Sequence, residues 1–139
     1  MKRILPLMFI ALFLASCASP HIGRSVNYDA DSVCKINSYP ASCSVTYDRM
    51  NISYLIEETE NPDEYQISGT ATYTGSGTWN SYSGAMFTLL VAQDGVVAEV
   101  FNIAGGRGSI DSQITFSRTF TFPGYIEAIL LGYSMNVKG

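Results

Sequence analysis

The sequence predicts an all-β domain, an antiparallel β-sandwich of about six or seven strands, with a small β-barrel as the alternative. Three observations carry this. From Met50 onward, apolar residues recur at every second position, the period of a strand with one buried face. Clusters of Gly, Pro, Asn and Asp interrupt these runs at short intervals, as turns do in sandwiches and barrels. Beyond the first sixteen residues, no window carries the apolar stripe of a surface helix.

Each element follows from this alternation. Met50 to Glu57 sets Met50, Ile52, Tyr54 and Ile56 on one side and Asn51, Ser53 and Glu57 on the other, with Leu55 as the exception. Thr59-Glu60-Asn61-Pro62-Asp63 reads as a turn, because Pro fixes φ and Asn and Asp favour tight bends. Tyr65, Ile67, Gly69, Ala71 and Tyr73 then oppose Gln66, Ser68, Thr70, Thr72 and Thr74, so the two runs predict a hairpin. Gly75 to Gly84 is a Gly- and Ser-rich loop carrying Trp79 and Tyr82. Met86 to Gln93 reads as a mostly buried strand, and Asp94-Gly95 is the signature of a type I′ turn. Val96 to Ile103 returns with Val97, Phe101 and Ile103 on one face, and Gly105-Gly106-Arg107-Gly108 turns again. Ile114, Phe116, Phe120 and Phe122 share a face opposite Thr115, Ser117, Thr119 and Thr121. Arg118 falls on the apolar side, which places it near an edge with its head group reaching outward. Pro123-Gly124 ends that run, and Tyr125 to Met135 is the last strand.

The N-terminus has a different character. Lys2 and Arg3 precede an apolar run from Ile4 to Leu14, broken only by Pro6. That is the length of a secretory h-region and too short for a membrane-spanning helix, which needs about 20 apolar residues. Leu14-Ala15-Ser16-Cys17 follows, and it resembles the lipobox of bacterial lipoprotein precursors. The resemblance implies cleavage before Cys17 and lipidation of that residue by a diacylglyceryl and an N-acyl group, an anchor of two or three chains. Ala18 stands where an Asp commonly retains Gram-negative lipoproteins in the inner membrane. The resemblance therefore implies outer-membrane sorting in a host that has an outer membrane. The expected organisation is a removed signal peptide over 1–16, a lipid-anchored tether over 17–30 and one β domain over 31–139.

With Cys17 assigned to lipid, Cys34 and Cys43 remain. They flank a polar stretch containing Pro40, and an even pair in an oxidising compartment reads as a disulfide. A redox pair or a metal site is the alternative, but zinc is disfavoured by a single His, His21, and no third thiolate. No cofactor or metal is expected.

The chain has 139 residues and a formal charge of −4. Removing Lys2 and Arg3 with the leader leaves six basic residues against twelve acidic ones, a charge of −6 on the exported chain. That balance excludes a protein that tracks nucleic-acid phosphates. Nucleophilic catalysis usually needs a base beside the nucleophile, and His21 lies in the expected tether as a solvated linker residue. Glu57, Glu58, Glu60, Asp63 and Glu64 crowd the first hairpin turn. Paired carboxylates run glycoside hydrolysis across a cleft and clustered oxygens bind Ca²⁺, yet acids in a turn are ordinarily solvated. The Gly105–Gly108 stretch offers backbone N–H groups to an anion, but it reads as a turn.

The aromatic group of Tyr73, Trp79 and Tyr82 is the best ligand-binding candidate, because flat rings on a loop stack on sugars or anchor partners. The opposing reading has Trp79 folding back to cap the sandwich. The order of features from Ile67-Ser68-Gly69 through Val91-Ala92-Gln93-Asp94-Gly95, Gly105-Gly106, Phe116 to Phe122 and Tyr125 to Tyr133 resembles the immunoglobulin-like FxLYD-type domains of prokaryotic envelope proteins. The Leu-Tyr-Asp string that names that family is replaced here by Val91-Ala92-Gln93-Asp94. The expected function is a non-enzymatic envelope lipoprotein, an adapter or accessory subunit of a periplasmic or surface assembly, held to the membrane through Cys17 and contacting an envelope protein. The alternative is a glycan- or peptide-binding module, or an inhibitor of an envelope hydrolase, using the aromatic loop.

Overall fold

The computed structural model of the chain describes residues 19–74, 81–105, 108–109 and 113–138. Among them lie nine strands and no helix: β1 (Val33–Lys35), β2 (Ala41–Tyr47), β3 (Met50–Glu58), β4 (Glu64–Tyr73), β5 (Ser81–Gln93), β6 (Val96–Ala104), β7 (Gly108–Ser109), β8 (Gln113–Thr121) and β9 (Ala128–Lys138). They form two antiparallel sheets. One runs β1-β9-β5-β6, with β7 also pairing on β5, and the other runs β2-β3-β4-β8. Among the described residues neither sheet closes on itself, so the domain is a sandwich and not a barrel.

Alternation decides which side of each strand is buried. In β3, Met50, Ile52, Tyr54 and Ile56 are buried, and in β4 Tyr65, Ile67, Ala71 and Tyr73 join them. Phe87, Leu89 and Val91 of β5 and Ile129 and Leu131 of β9 meet them from the other sheet. No polar or charged side chain is buried among the described residues, so the sheets are held by apolar burial, favourable by roughly 25 cal/mol per Å². The β3–β4 hairpin pairs Met50 with Tyr73 and Glu58 with Tyr65. Asp94 and Gly95 have φ of 55° and 80°, the two positive values a type I′ turn requires. Arg118 lies on β8, an edge strand, and its side chain reaches out as its sequence position implies.

Several boundaries differ from the expectation. Strands β1 and β2 bracket the polar stretch between the two cysteines and were not expected, because β1 is only three residues long and the outer residues of β2 are Ser and Thr. Neither strand therefore shows a strong contrast with loop composition. The last strand begins at Ala128, not Tyr125. Tyr125 is exposed in the preceding loop, whose Glu127 amide donates to the Ala92 carbonyl at 3.0 Å.

One glycine has a steric reason. Gly69 sits at the middle of β4, paired with Tyr54 on one side and Phe116 on the other. A Cβ there would lie 2.5 Å from the Ser53 carbonyl oxygen and 2.6 Å from the Phe116 ring. Phe116 leans into that space and stacks on Phe87 of the opposite sheet, with ring centroids 4.5 Å apart. The missing side chain makes room for the contact that joins the sheets.

Both lateral openings of the sandwich are closed. On one side Cys34 of β1 and Cys43 of β2 form a disulfide that joins edge strands of different sheets. On the other side the Arg118 guanidinium of β8 donates to the Asn102 carbonyl of β6. It also lies 5.3 Å from the Phe101 ring centre, and Phe101 packs on Phe120 at 5.0 Å.

Residues expected as a free tether are held to the domain from Gly23 on. The Gly23 amide donates to the Val97 carbonyl at 2.8 Å, Val97 returns a bond to the Arg24 carbonyl at 2.9 Å, and Val26 donates to Gly95 at 2.9 Å. Ser25 bridges Val96, and the Tyr28 hydroxyl accepts from the Gly95 amide at 3.0 Å. Composition concealed this, because a segment that borrows its partners from an edge strand needs no periodicity of its own. The described part of 17–30 is a strap leading from β6 at one edge of its sheet to β1 at the other.

Two outcomes follow from this architecture. Gly69→Ala should destabilise by about 1–3 kcal/mol through overpacking, although glycine removal from an unhindered strand would stabilise; urea unfolding midpoints read the sign. Replacing Cys34 and Cys43 together by Ala should lower stability by about 3 kcal/mol, the cross-link entropy of so short a loop. The thermal midpoint should fall accordingly while the far-ultraviolet spectrum below it stays that of a β protein.

Candidate functional site

The outer face of the β3 sheet is an ordered surface that the fold assembles from four separate strands. Strand register aligns its outward residues into rows across four strands. One row is Ser42, Leu55, Ser68 and Ser117; the next is Ser44, Ser53, Thr70 and Thr115; the third is Thr46, Asn51, Thr72 and Gln113. Nine of these twelve positions carry a hydroxyl, and none carries a charge. Neighbouring strands are about 4.8 Å apart, and alternate residues on a strand about 6.7 Å, so the hydroxyls form a regular polar lattice. Two open grooves run over it, of about 480 Å³ beside Ser42, Ser44, Ser53 and Leu55 and about 430 Å³ beside Ser68, Thr70, Thr115 and Ser117. Charged residues make up 14% of the chain, against about 25% in ordinary domains, and these three rows hold none of them.

The outer face of the β5 sheet is its opposite. Val33, Leu130, Leu90 and Val100 align across β1, β9, β5 and β6, an apolar row turned away from the core. The strap lies over it. Between strap and sheet a groove of about 280 Å³ is lined by Val26, Val33, Leu90, Val97 and Leu130, with His21 and Arg24 as its basic residues. His21 is half-buried there, which corrects its reading as a solvated linker residue.

The expected ligand residues do not come together as a described site. Tyr73 is fully buried. It occupies an inward position of β4, so the aromatic loop loses that member to the core. Trp79 lies outside the described residues. The Tyr82 backbone pairs with Gly108 and Val137, and its side chain lies outside the described residues. Cys17 and the Gly106-Arg107 part of the glycine turn also lie outside them. Gly105 donates to the Ala85 carbonyl at 2.8 Å.

The acidic turn is organised by its own side chains. Thr59 Oγ1 and Asn61 Nδ2 donate to Glu64 Oε1 at 2.7 and 3.0 Å, which holds the Glu64 carboxyl below its usual range, first through the Thr59 bond and then the Asn61 bond. Asp63 has a φ of 58°, and its carbonyl accepts from the Phe122 amide at 2.9 Å. The Glu64 carboxylate is thus spent on closing the hairpin. Among the described residues no three His, Cys, Asp or Glu side chains are grouped to hold a metal ion.

Sequence reasoning missed the hydroxyl face. Its signal was present as Ser68, Thr70 and Thr72 and as Thr115, Ser117 and Thr119 on the solvent sides of two strands. Only the pairing of β4 with β8, distant in sequence, makes them one surface. Comparison with protein-family models, with curated proteins and with solved structures gives no match.

The tyrosines give the fold a pH limit. Tyr54, buried behind the hydroxyl face, is pushed above its ordinary value by desolvation and then by Tyr47. Tyr39 is pushed up by desolvation and then by Tyr65. In the unfolded chain both ionise near pH 10, so above that pH the unfolded state binds fewer protons than the folded one and stability falls. Their contribution should be complete below about pH 10 and lost as pH rises through the folded values. Urea midpoints should be level through neutral pH and drop above about pH 10, and Tyr54→Phe should make the drop shallower.

Proposed function

We propose that the chain is a lipid-anchored protein of the bacterial cell envelope that acts without catalysis, as an adapter or accessory subunit, and that it meets its partner through the outer face of the β3 sheet. The observation behind this reading is the unlike character of the two outer faces. One carries an apolar row lying under the strap. The other is open and ordered, with three hydroxyl-rich rows that carry no charge and Glu57 in the outward row beyond them, on an exported chain whose expected charge is −6. The cores of protein interfaces are depleted in charge, as these three rows are. The leader and Leu14-Ala15-Ser16-Cys17 support the anchor, with the outer membrane as its destination in a Gram-negative host.

The hydroxyl rows also favour a second reading, a module that binds an uncharged glycan strand. Such a strand offers donors and acceptors at short repeats, and Ser and Thr hydroxyls serve as both. This moves the glycan reading from the aromatic loop to the sheet face.

Thr70→Arg and Ser53→Arg test both readings, because outward surface changes usually alter stability within about 0.5 kcal/mol. In cells treated with a mild crosslinker, the wild-type chain should capture an envelope protein that both variants lose, with all three chains in the membrane fraction and Cys17→Ser released from it. Co-sedimentation with purified peptidoglycan that Thr70→Arg abolishes selects the glycan reading instead. Equal capture and equal sedimentation by wild type and variants would remove the face from the function.

A further inference from the structure

The groove under the strap needs an occupant. Leu90, Leu130, Val33 and Val26 are only half-buried where they line it, so apolar surface stays in contact with water in a place the chain has already half covered. Covering it is favourable, since apolar burial drives association wherever geometry permits. At about 280 Å³ the space is just below the roughly 300–1,000 Å³ of ligand sites. It has room for part of one alkyl chain and not for a whole lipid.

We propose that this groove receives an acyl chain of the lipid carried on Cys17. The proposal rests on the lipoprotein reading of the leader. Position carries it further than apolar character alone. His21 lines the groove and is four residues from Cys17, a span of at most about 14 Å. From Ser19 on the backbone is fixed: Ile22 donates to the Ser19 carbonyl at 3.1 Å, Arg24 to His21 at 3.2 Å and Gly23 to Val97 at 2.8 Å. A lipid attached at residue 17 is therefore tethered within one short reach of the groove, at the high effective concentration of an intramolecular ligand. The basic lining residues suit the lipid's head. Arg24 and His21 offer N–H donors to the carbonyl oxygens of the ester and amide links, while Leu90, Val97 and Leu130 take the hydrocarbon. One chain seated this way would fix the domain's orientation on its anchor and leave the remaining chains to the bilayer.

A photoreactive fatty acid tests this on the full chain as cells process it. Cells are grown with a diazirine analogue of palmitate, the protein is purified, and intact mass establishes the acyl groups on Cys17. After irradiation, adducts are mapped by peptide mass. The expected result is adducts within the chain at residues 26–33, 90, 97 and 130. Ala30→Trp, which fills the groove from the strap, should reduce them about tenfold without changing the label on Cys17. An acylated Cys17 with adducts only on phospholipid or on a second copy overturns the groove and leaves the anchor standing. A Cys17 without acyl mass overturns both.

Discussion

The pleat of the β-strand sends neighbouring residues to opposite faces, and in the β3 sheet that single constraint produces both the core and the candidate site. Tyr54, Gly69 and Phe116 form one inward row. The rows on either side of it, through Ser53, Thr70 and Thr115 and through Leu55, Ser68 and Ser117, must then face outward. A one-residue slip of any strand would exchange them. The hydroxyl lattice is thus locked by the packing of Phe116 against Phe87 behind it, and its regularity is inherited from the register of the core. Gly69 belongs to that lock, because the Phe116 ring reaches the middle of the sandwich through the space it leaves.

Edges are the second constraint. A sandwich has four, and each presents unpaired backbone groups that invite other chains. Here the Cys34–Cys43 bridge ties β1 to β2, the Arg118–Asn102 bond and the Phe101–Phe120 contact tie β8 to β6, and the strap pairs along the start of β6. The disulfide and Arg118 do equivalent work at opposite sides by different chemistry. Arg118 can sit in an apolar position because its head group finds a carbonyl and an aromatic face at the rim.

How much of this the sequence disclosed depended on the range of the signal. The β3–β4 hairpin, the Asp94-Gly95 turn and the edge position of Arg118 were legible, because each is set by residues close together in the chain. The disulfide was legible by elimination. Strands β1 and β2 were not, since a three-residue strand has no period to read and an edge strand with Ser and Thr on its outer face reads as loop. The strap was not, because its hydrogen bonds come from β6. Tyr73 was misread for a related reason: its nearness in sequence to Trp79 suggested one aromatic group, whereas the inward parity of β4 assigned it to the core. The hydroxyl face needed the long-range pairing of β4 with β8, which nothing local encodes.

The two outer faces have to be considered together. Sheets in a sandwich lie about 10 Å apart and present their outer faces in opposite directions. The strap lies over the outer face of the β5 sheet, and an anchor four residues before His21 would hold the domain by that side. On the lipoprotein reading, the hydroxyl face of the β3 sheet is then directed away from the attachment, toward whatever the anchored domain meets. A free tether of a dozen residues would leave the domain able to tumble and to present either face. Pinning from Gly23 removes most of that freedom. Contact with a partner then requires less orientational search, one of the entropic costs that association otherwise carries.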